Sequence, residues 1–143
     1  MPAATFTHSV TTSAPVHRAW AALQDPQTWS GIGPVSGVSN PRYAPDGTLE
    51  GFDWVANIGG KAYKGLATTT AYAKPERFEL TMDTSEIAGD VIATIEPGNP
   101  GCTVTIEITF RAKGILSTMF FPAIRQALAS GFPRQIEDLV AGI

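Results

Sequence analysis

The chain has few residues that titrate near neutrality or bind soft metals: two histidines and one cysteine in 143 residues. Cys102 stands alone, which excludes an intrachain disulfide and with it the stapled scaffolds of small secreted proteins. His8 and His17 share no ligand spacing with each other or with Cys102, so no metal site and no cofactor is expected. Basic clusters are missing too. Ten Lys and Arg against 13 Asp and Glu leave a net charge of −3, and a nucleic-acid partner is not expected without grouped cations to meet phosphate. No apolar run approaches the ~20 residues that cross a bilayer, so no membrane span is expected. The opening "MPAATFTHSV" lacks the basic and apolar regions of a signal peptide, and a cytoplasmic protein is the expectation. No G-x-S-x-G elbow is present. "GIGPVSG" at 31–37 follows a helical pattern rather than a strand and contains a proline, so it reads as a connecting loop and not a phosphate cradle.

What is present is periodic. Residues 5–12 alternate, with Phe6, His8, Val10 and Thr12 on one face and Thr5, Thr7, Ser9 and Thr11 on the other, the pattern of a half-buried strand. Ser13 is placed to cap a helix whose first turn holds Pro15. Val16, Trp20 and Leu23 then fall at helical spacing, while His17, Arg18 and Gln24 point elsewhere. Asp25-Pro26 ends that helix, and "PQTW" forms one further turn.

From residue 35 onward the punctuation is that of antiparallel strands. Val35–Tyr43, Thr48–Ile58, Lys61–Ala73, Arg77–Thr84, Ile87–Glu96 and Cys102–Arg111 are separated by Asp-Gly, Gly-Gly, Lys-Pro-Glu and "PGNPG" signals. Phe52, Trp54, Ala56 and Ile58 share one face, as do Phe78, Leu80 and Met82. In the last strand Cys102, Val104, Ile106, Ile108 and Phe110 face inward. The face of Lys61–Ala73 depends on the turn before it. A two-residue turn at Gly59-Gly60 sends Tyr63, Gly65, Ala67, Thr69 and Ala71 inward. A three-residue turn sends Leu66, Thr68, Thr70 and Tyr72 inward, buries more apolar mass and is preferred.

After Gly114 the period becomes helical. Leu116, Phe120, Ile124, Leu128, Phe132, Ile136 and Val140 recur at every fourth position. Pro122 predicts a kink, and Gly131 with Pro133 a break. The order is strand, small helices, six strands, long helix, which predicts an α+β fold with about seven antiparallel strands in one domain, 1–143. Twist accumulating over that many strands curls the sheet, and the last helix is the element long enough to cover its concave side.

The stretch "SAPVHRAWAALQDPQTW", with Ala14, Pro15, Val16, Trp20, Leu23, Asp25, Pro26 and Trp29, resembles the SRPBCC (START / birch-pollen-allergen-like) superfamily and its helix-grip fold. The resemblance covers essentially the whole chain. It looks nearest to bacterial members labelled polyketide cyclase/dehydrase-like, or to those similar to the G protein of the carbon monoxide dehydrogenase system. It implies a curled sheet wrapped around the C-terminal helix, with a deep, largely apolar cavity between them. The quoted residues are carried over as fold determinants only.

Candidate ligand-contacting residues are Trp54, Phe52, Tyr72, Leu80, Phe120 and His8. The aromatic and aliphatic ones would line a pocket or serve as ordinary core. His8 shares a face with Phe6 and Val10, which suits either a cavity acid/base or a packed, hydrogen-bonded imidazole. Asp53, Asp83, Glu86 and Asp90 are expected on solvated faces. Met119, Phe120 and Phe121 before Pro122 mark where a lid would hinge. The leading expectation is a carrier or sensor for a small hydrophobic molecule such as a lipid, a polyketide or an aromatic. One alternative is a cyclase, aromatase or dehydratase in which His8, Tyr63 or Tyr72 takes part. Another is a module that assists assembly of a second complex.

Overall fold

The computed structural model describes residues 2–143. Its elements are β1 (Ala3–Thr12), α1 (Val16–Leu23), a 3-10 turn (Pro26–Trp29), β2 (Val35–Tyr43), β3 (Leu49–Ile58), β4 (Lys61–Ala73), β5 (Arg77–Asp83), β6 (Ile87–Pro97), β7 (Cys102–Ala112) and α2 (Ile115–Ala141). All seven strands form one antiparallel sheet in the order β1-β7-β6-β5-β4-β3-β2. This is the curled-sheet, long-helix α+β architecture of the helix-grip fold.

Alternation sets the two faces. On the outer face β1 and β7 zip through hydroxyl pairs: Thr5 with Thr109 at 3.0 Å, Ser9 with Thr105 at 2.7 Å and Thr11 with Thr103 at 3.1 Å. On the inner face Cys102, Val104, Ile106, Ile108 and Phe110 are all buried. The Cys102 thiol donates to the Ala14 carbonyl at 3.4 Å, and burial pushes its pKa up.

The strand-to-helix junction differs from expectation. Ser13 does not cap α1; Pro15 itself takes the capping position, with extended backbone and no side-chain cap bond. Thr12 Oγ1 instead accepts from Ala14 N at 3.2 Å and turns the chain ahead of the helix. Asp25 does cap the following turn, accepting from Gln27 N at 2.9 Å.

The register of β4 corrects the preferred reading. Ile58 pairs directly with Lys61, and Gly59 and Gly60 have φ of +58° and +80°, so the turn has two residues. Positive φ at both centres matches the twist of a tight hairpin, which is why glycine occupies both. Tyr63, Gly65, Ala67 and Thr69 therefore face inward, Ala67 is buried and Leu66 is 49% exposed. Small residues are required there because the Trp54 indole lies across the strand: a Cβ on Gly65 would come within 2.5 Å of Trp54 Nε1. A bulge after Thr69 then shifts the alternation. Thr69 pairs with Leu80 and Ala71 with Glu79, so Tyr72 pairs with Phe78 and joins its face.

Helix α2 is unbroken over 27 residues and runs through both Pro122 and Pro133. The expected break at Gly131 and Pro133 does not occur. Pro133 forfeits one backbone bond, while its neighbours Phe132 and Ile136 are buried under the helix, with Phe132 6.2 Å from the Phe6 ring of β1. The buried stripe is Ser117, Phe121, Leu128, Phe132, Ile136 and Val140, not the every-fourth set. Four residues advance an α-helix by ~400°, so a strict four-residue repeat drifts ~40° per step and Phe120 rolls off the buried side.

Candidate ligand-binding site

Two connected questions decide what the concave side holds: how much of it is filled, and by what. Over α1 it is filled. Trp20 meets Phe78 edge-on at 5.9 Å, Trp29 stacks on Phe78 at 6.3 Å, and Trp29 Nε1 donates to the Leu23 carbonyl at 3.1 Å. Gln24, expected to point away from the apolar stripe, is buried there, and its Oε1 accepts from Leu49 N at 2.8 Å. It ties α1 to the start of β3.

Under the first turns of α2 the packing is looser. A cavity of about 290 Å³ opens between the helix, the loop before β2 and the β3–β4 turn. Its lining includes Gly33, Pro34, Ile58, Phe120, Ile124 and Leu128. Glycines let the two loops approach the helix. A Cβ on Gly59 would lie 2.7 Å from Phe120 Cε2, and one on Gly33 would lie 3.2 Å from Leu128 Cδ2. Ala123 and Ala127 keep the helix side of the mouth low. The polar groups at the rim are Asn57 and Gln135, whose Oε1 accepts from Gly33 N at 3.4 Å.

Deeper in lies an apolar chamber of about 20 Å³ between Ile32, Trp54, Met82, Ile87, Ile108 and Phe110. That volume is about one water molecule. The deep cavity implied by the resemblance is thus present as a mouth and a remnant, because aromatic rings take up the remaining volume. Phe121 of α2 packs on Phe110 at 5.9 Å. The Trp54 Nε1–H on the chamber wall is buried with no hydrogen-bond partner.

The helix start is fixed from the sheet. Glu86, in the β5–β6 turn, accepts from Ser117 N at 2.7 Å through its carboxylate and from Ser117 Oγ at 2.6 Å through its carbonyl. It satisfies donors that an α-helix N-terminus otherwise leaves open, and its charge suits the helix dipole. Gly114 has no side chain because the Glu86 carboxylate fills that space. The expected solvated face is thus a helix cap, a role invisible before the β5–β6 turn meets the helix.

The candidate residues scatter. Phe120 lines the mouth and Trp54 the chamber. Phe52 and Leu80 are buried in the main core and line neither. Tyr72 is 46% exposed, with its ring 6.3 Å from Trp20. His8 sits half-buried where β1 meets α2, its Nε2 3.3 Å from Glu137 Oε1. Tyr63 belongs to β4, and β5, β6 and β7 separate that strand from His8 on β1. His8, Tyr63 and Tyr72 therefore form no common acid/base group.

The acids point outward. Asp53 bonds Asn40 at 2.9 Å and Arg42 at 3.2 Å, and these two contacts hold its pKa below the ordinary carboxylate value. Asp83 pairs with Lys113 and Asp90 with Arg111. Among the described residues no three His, Cys, Asp or Glu side chains cluster as a metal site. A wider groove of about 730 Å³ runs between α1 and the end of α2, but it is open and polar, with Arg18, Asp25, Gln27 and Asp138 on its walls.

Known folds match this arrangement over nearly the whole chain. A START superfamily protein from Mycobacterium smegmatis superposes with a TM-score of 0.70 at 11% identity, covering 96% of this chain and 97% of that one. A protein from Thermus thermophilus gives 0.67 at 14% identity, over 98% and 95% of the two chains. A Polyketide_cyc-like protein from Corynebacterium glutamicum gives 0.64 at 16%, over 96% and 90%. At these identities the likeness is one of fold. No curated protein matches the sequence. The family model described as polyketide cyclase / dehydrase and lipid transport matches residues 3–142, and the chain accordingly belongs to that family, within the SRPBCC superfamily of helix-grip proteins.

Proposed function

We propose that the protein binds a small hydrophobic molecule between the sheet and the start of α2 and acts as a cytoplasmic carrier or sensor for it. The observation that carries this reading is the mouth itself. It is a concavity of about 290 Å³ walled by Ile58, Phe120, Ile124 and Leu128, with its polar groups confined to the rim. That is near the lower end of small-molecule sites, ~300–1,000 Å³, so a compact ring system fits better than a long chain. The family description, which includes lipid transport, points the same way. Carriage is favoured over catalysis because the acid/base side chains lie apart from one another and from the mouth.

Ligand larger than the mouth enters by displacing Phe120 from Gly59. Pro122 lies two positions on and lacks the N–H that would bond the carbonyl four residues back, so the helix is weakest beside its gate. Replacing it, Pro122→Ala, slows ligand exchange several-fold in stopped-flow displacement of 8-anilinonaphthalene-1-sulfonate; unchanged off-rates would rule out the hinge.

Native mass spectrometry of protein purified from its own host tests the reading directly. A retained small apolar molecule, absent from an Ala127→Trp variant that fills the mouth, is the expected result. An empty protein that no member of a lipid, polyketide and aromatic panel stabilises would overturn it.

A further inference from the structure

The outward side of α2 at its start is as unusual as its inward side. Ile115 is 84% exposed, Met119 69% and Phe120 38%, and Pro122 and Ala123 beside them are exposed too. The run Ile115–Ile124 contains no charged residue. A surface helix ordinarily turns charged side chains to water. Here three successive turns present apolar groups both to the sheet and away from it, and the exposed part is continuous with the cavity mouth through Phe120 and Ala123. Contiguous exposed apolar surface of this kind marks an interaction site.

The charges around it are segregated. The chain as a whole is acidic, yet residues 54–75 and 108–136, which include the β3–β4 turn and most of α2, contain no Asp or Glu. They contribute Lys61, Lys64, Lys113 and Arg125 around the patch. The two acids that reach this end come from the β5–β6 turn and are engaged: Asp83 pairs with Lys113 at 2.6 Å, and Glu86 caps α2. At the other end of the sheet, in or beside the turns, Asp46, Glu50, Glu76 and Glu96 make no ion pair among the described residues. The molecule therefore has an apolar, cationic end carrying the mouth and an acidic end opposite.

We propose that the first three turns of α2, with the neighbouring β3–β4 turn, dock on the surface of an anionic lipid bilayer and present the cavity mouth to it. Ile115, Met119 and Phe120 enter the headgroup region, as the apolar face of an interfacial helix does, while Lys61 and Arg125 meet the negative lipid charge. The acidic end faces away, so the field of the whole protein orients it. A second copy of the chain fits this surface poorly. A two-fold pair formed through it would bring Lys61, Lys113 and Arg125 against their own counterparts, like charge on like. This docking goes beyond the ligand reading and does not require it, since it is measured on protein without added ligand.

The test is co-sedimentation of the full chain with phosphatidylcholine vesicles and with mixed phosphatidylglycerol–phosphatidylcholine vesicles. The bound fraction should be about tenfold higher on the anionic vesicles and should fall as salt is raised. The double variant Ile115→Glu/Met119→Glu should lose that binding about tenfold with an unchanged thermal midpoint, since both side chains are exposed. Lys61→Glu/Arg125→Glu should lose the preference for anionic vesicles while leaving the apolar patch intact. Absence of binding to anionic vesicles, or equal binding by the Ile115→Glu/Met119→Glu variant, would overturn the proposal. So would a concentration-dependent dimer, seen by sedimentation velocity, that Met119→Glu dissolves, because the face would then belong to a second copy.

Discussion

The two halves of the concave face are built from the same sheet and finished in opposite ways. Beneath α1, Trp20, Trp29 and Phe78 interlock and leave no space that a ligand could share. Beneath the start of α2, glycines and alanines stand where the other half has rings, and a cavity of about 290 Å³ remains. Residue size alone accounts for the difference, because aromatic rings fill a curled sheet while Gly33, Gly59, Ala123 and Ala127 let loop and helix touch without closing the gap. One half holds the fold together and the other is free to change with what it binds.

That contrast predicts unequal responses to mutation. Phe78→Ala, in the filled half, removes the ring that both tryptophans pack on, and should cost about 3–5 kcal/mol in urea unfolding. Apolar-probe binding at the mouth should survive at denaturant concentrations where the variant is still folded; a loss of only a few tenths would mean that this half is not the structural core. Gly59→Ala, in the open half, places a side chain at φ +58° and against Phe120, and should cost about 1–2 kcal/mol while loosening Phe120. Faster probe exchange should accompany that loss, and slower exchange would argue against Phe120 as the gate.

The smallest effect belongs to neither half. On the outer face, the bonds from Asn40 and Arg42 depress the pKa of Asp53 from its ordinary 3.8. A carboxylate whose folded pKa is depressed contributes stability above its unfolded value, and that contribution disappears as pH falls through the folded value. Asp53→Asn should therefore flatten stability slightly below pH 3.8 and leave binding at the mouth unchanged. A pH-dependent change in binding would tie the outer face to the site.

Much of the framework is legible in the residues. Period-two runs such as Cys102–Phe110 fix which face is inside regardless of partner, and Ala14 to Trp29 carry the superfamily's helix-grip pattern. Other features depend on contacts between distant segments. Gly59-Gly60 is compatible with either turn length, and the choice is made by Trp54 lying over Gly65, two residues that the sequence separates by a hairpin. The buried face of α2 departs from the every-fourth pattern at Phe120 because a four-residue repeat slips around a 3.6-residue helix. Glu86 carries no local sign of being a cap; its role exists only because the β5–β6 turn arrives beneath Ser117. The size of the site is legible least of all. Trp54, Phe52 and Leu80 read identically as lining or as core, and only packing separates Trp54 on a chamber wall from Phe52 and Leu80 within the core.

The claim that the mouth under α2 is the binding half is tested most directly by a ¹H–¹⁵N titration of the labelled protein with 8-anilinonaphthalene-1-sulfonate. Saturable shifts should concentrate at Gly33, Ile58, Gly59, Phe120 and Ile124, with Trp20, Trp29 and Phe78 unmoved. Shifts confined to the polar groove of Arg18, Gln27 and Asp138, or none that saturate, would contradict it.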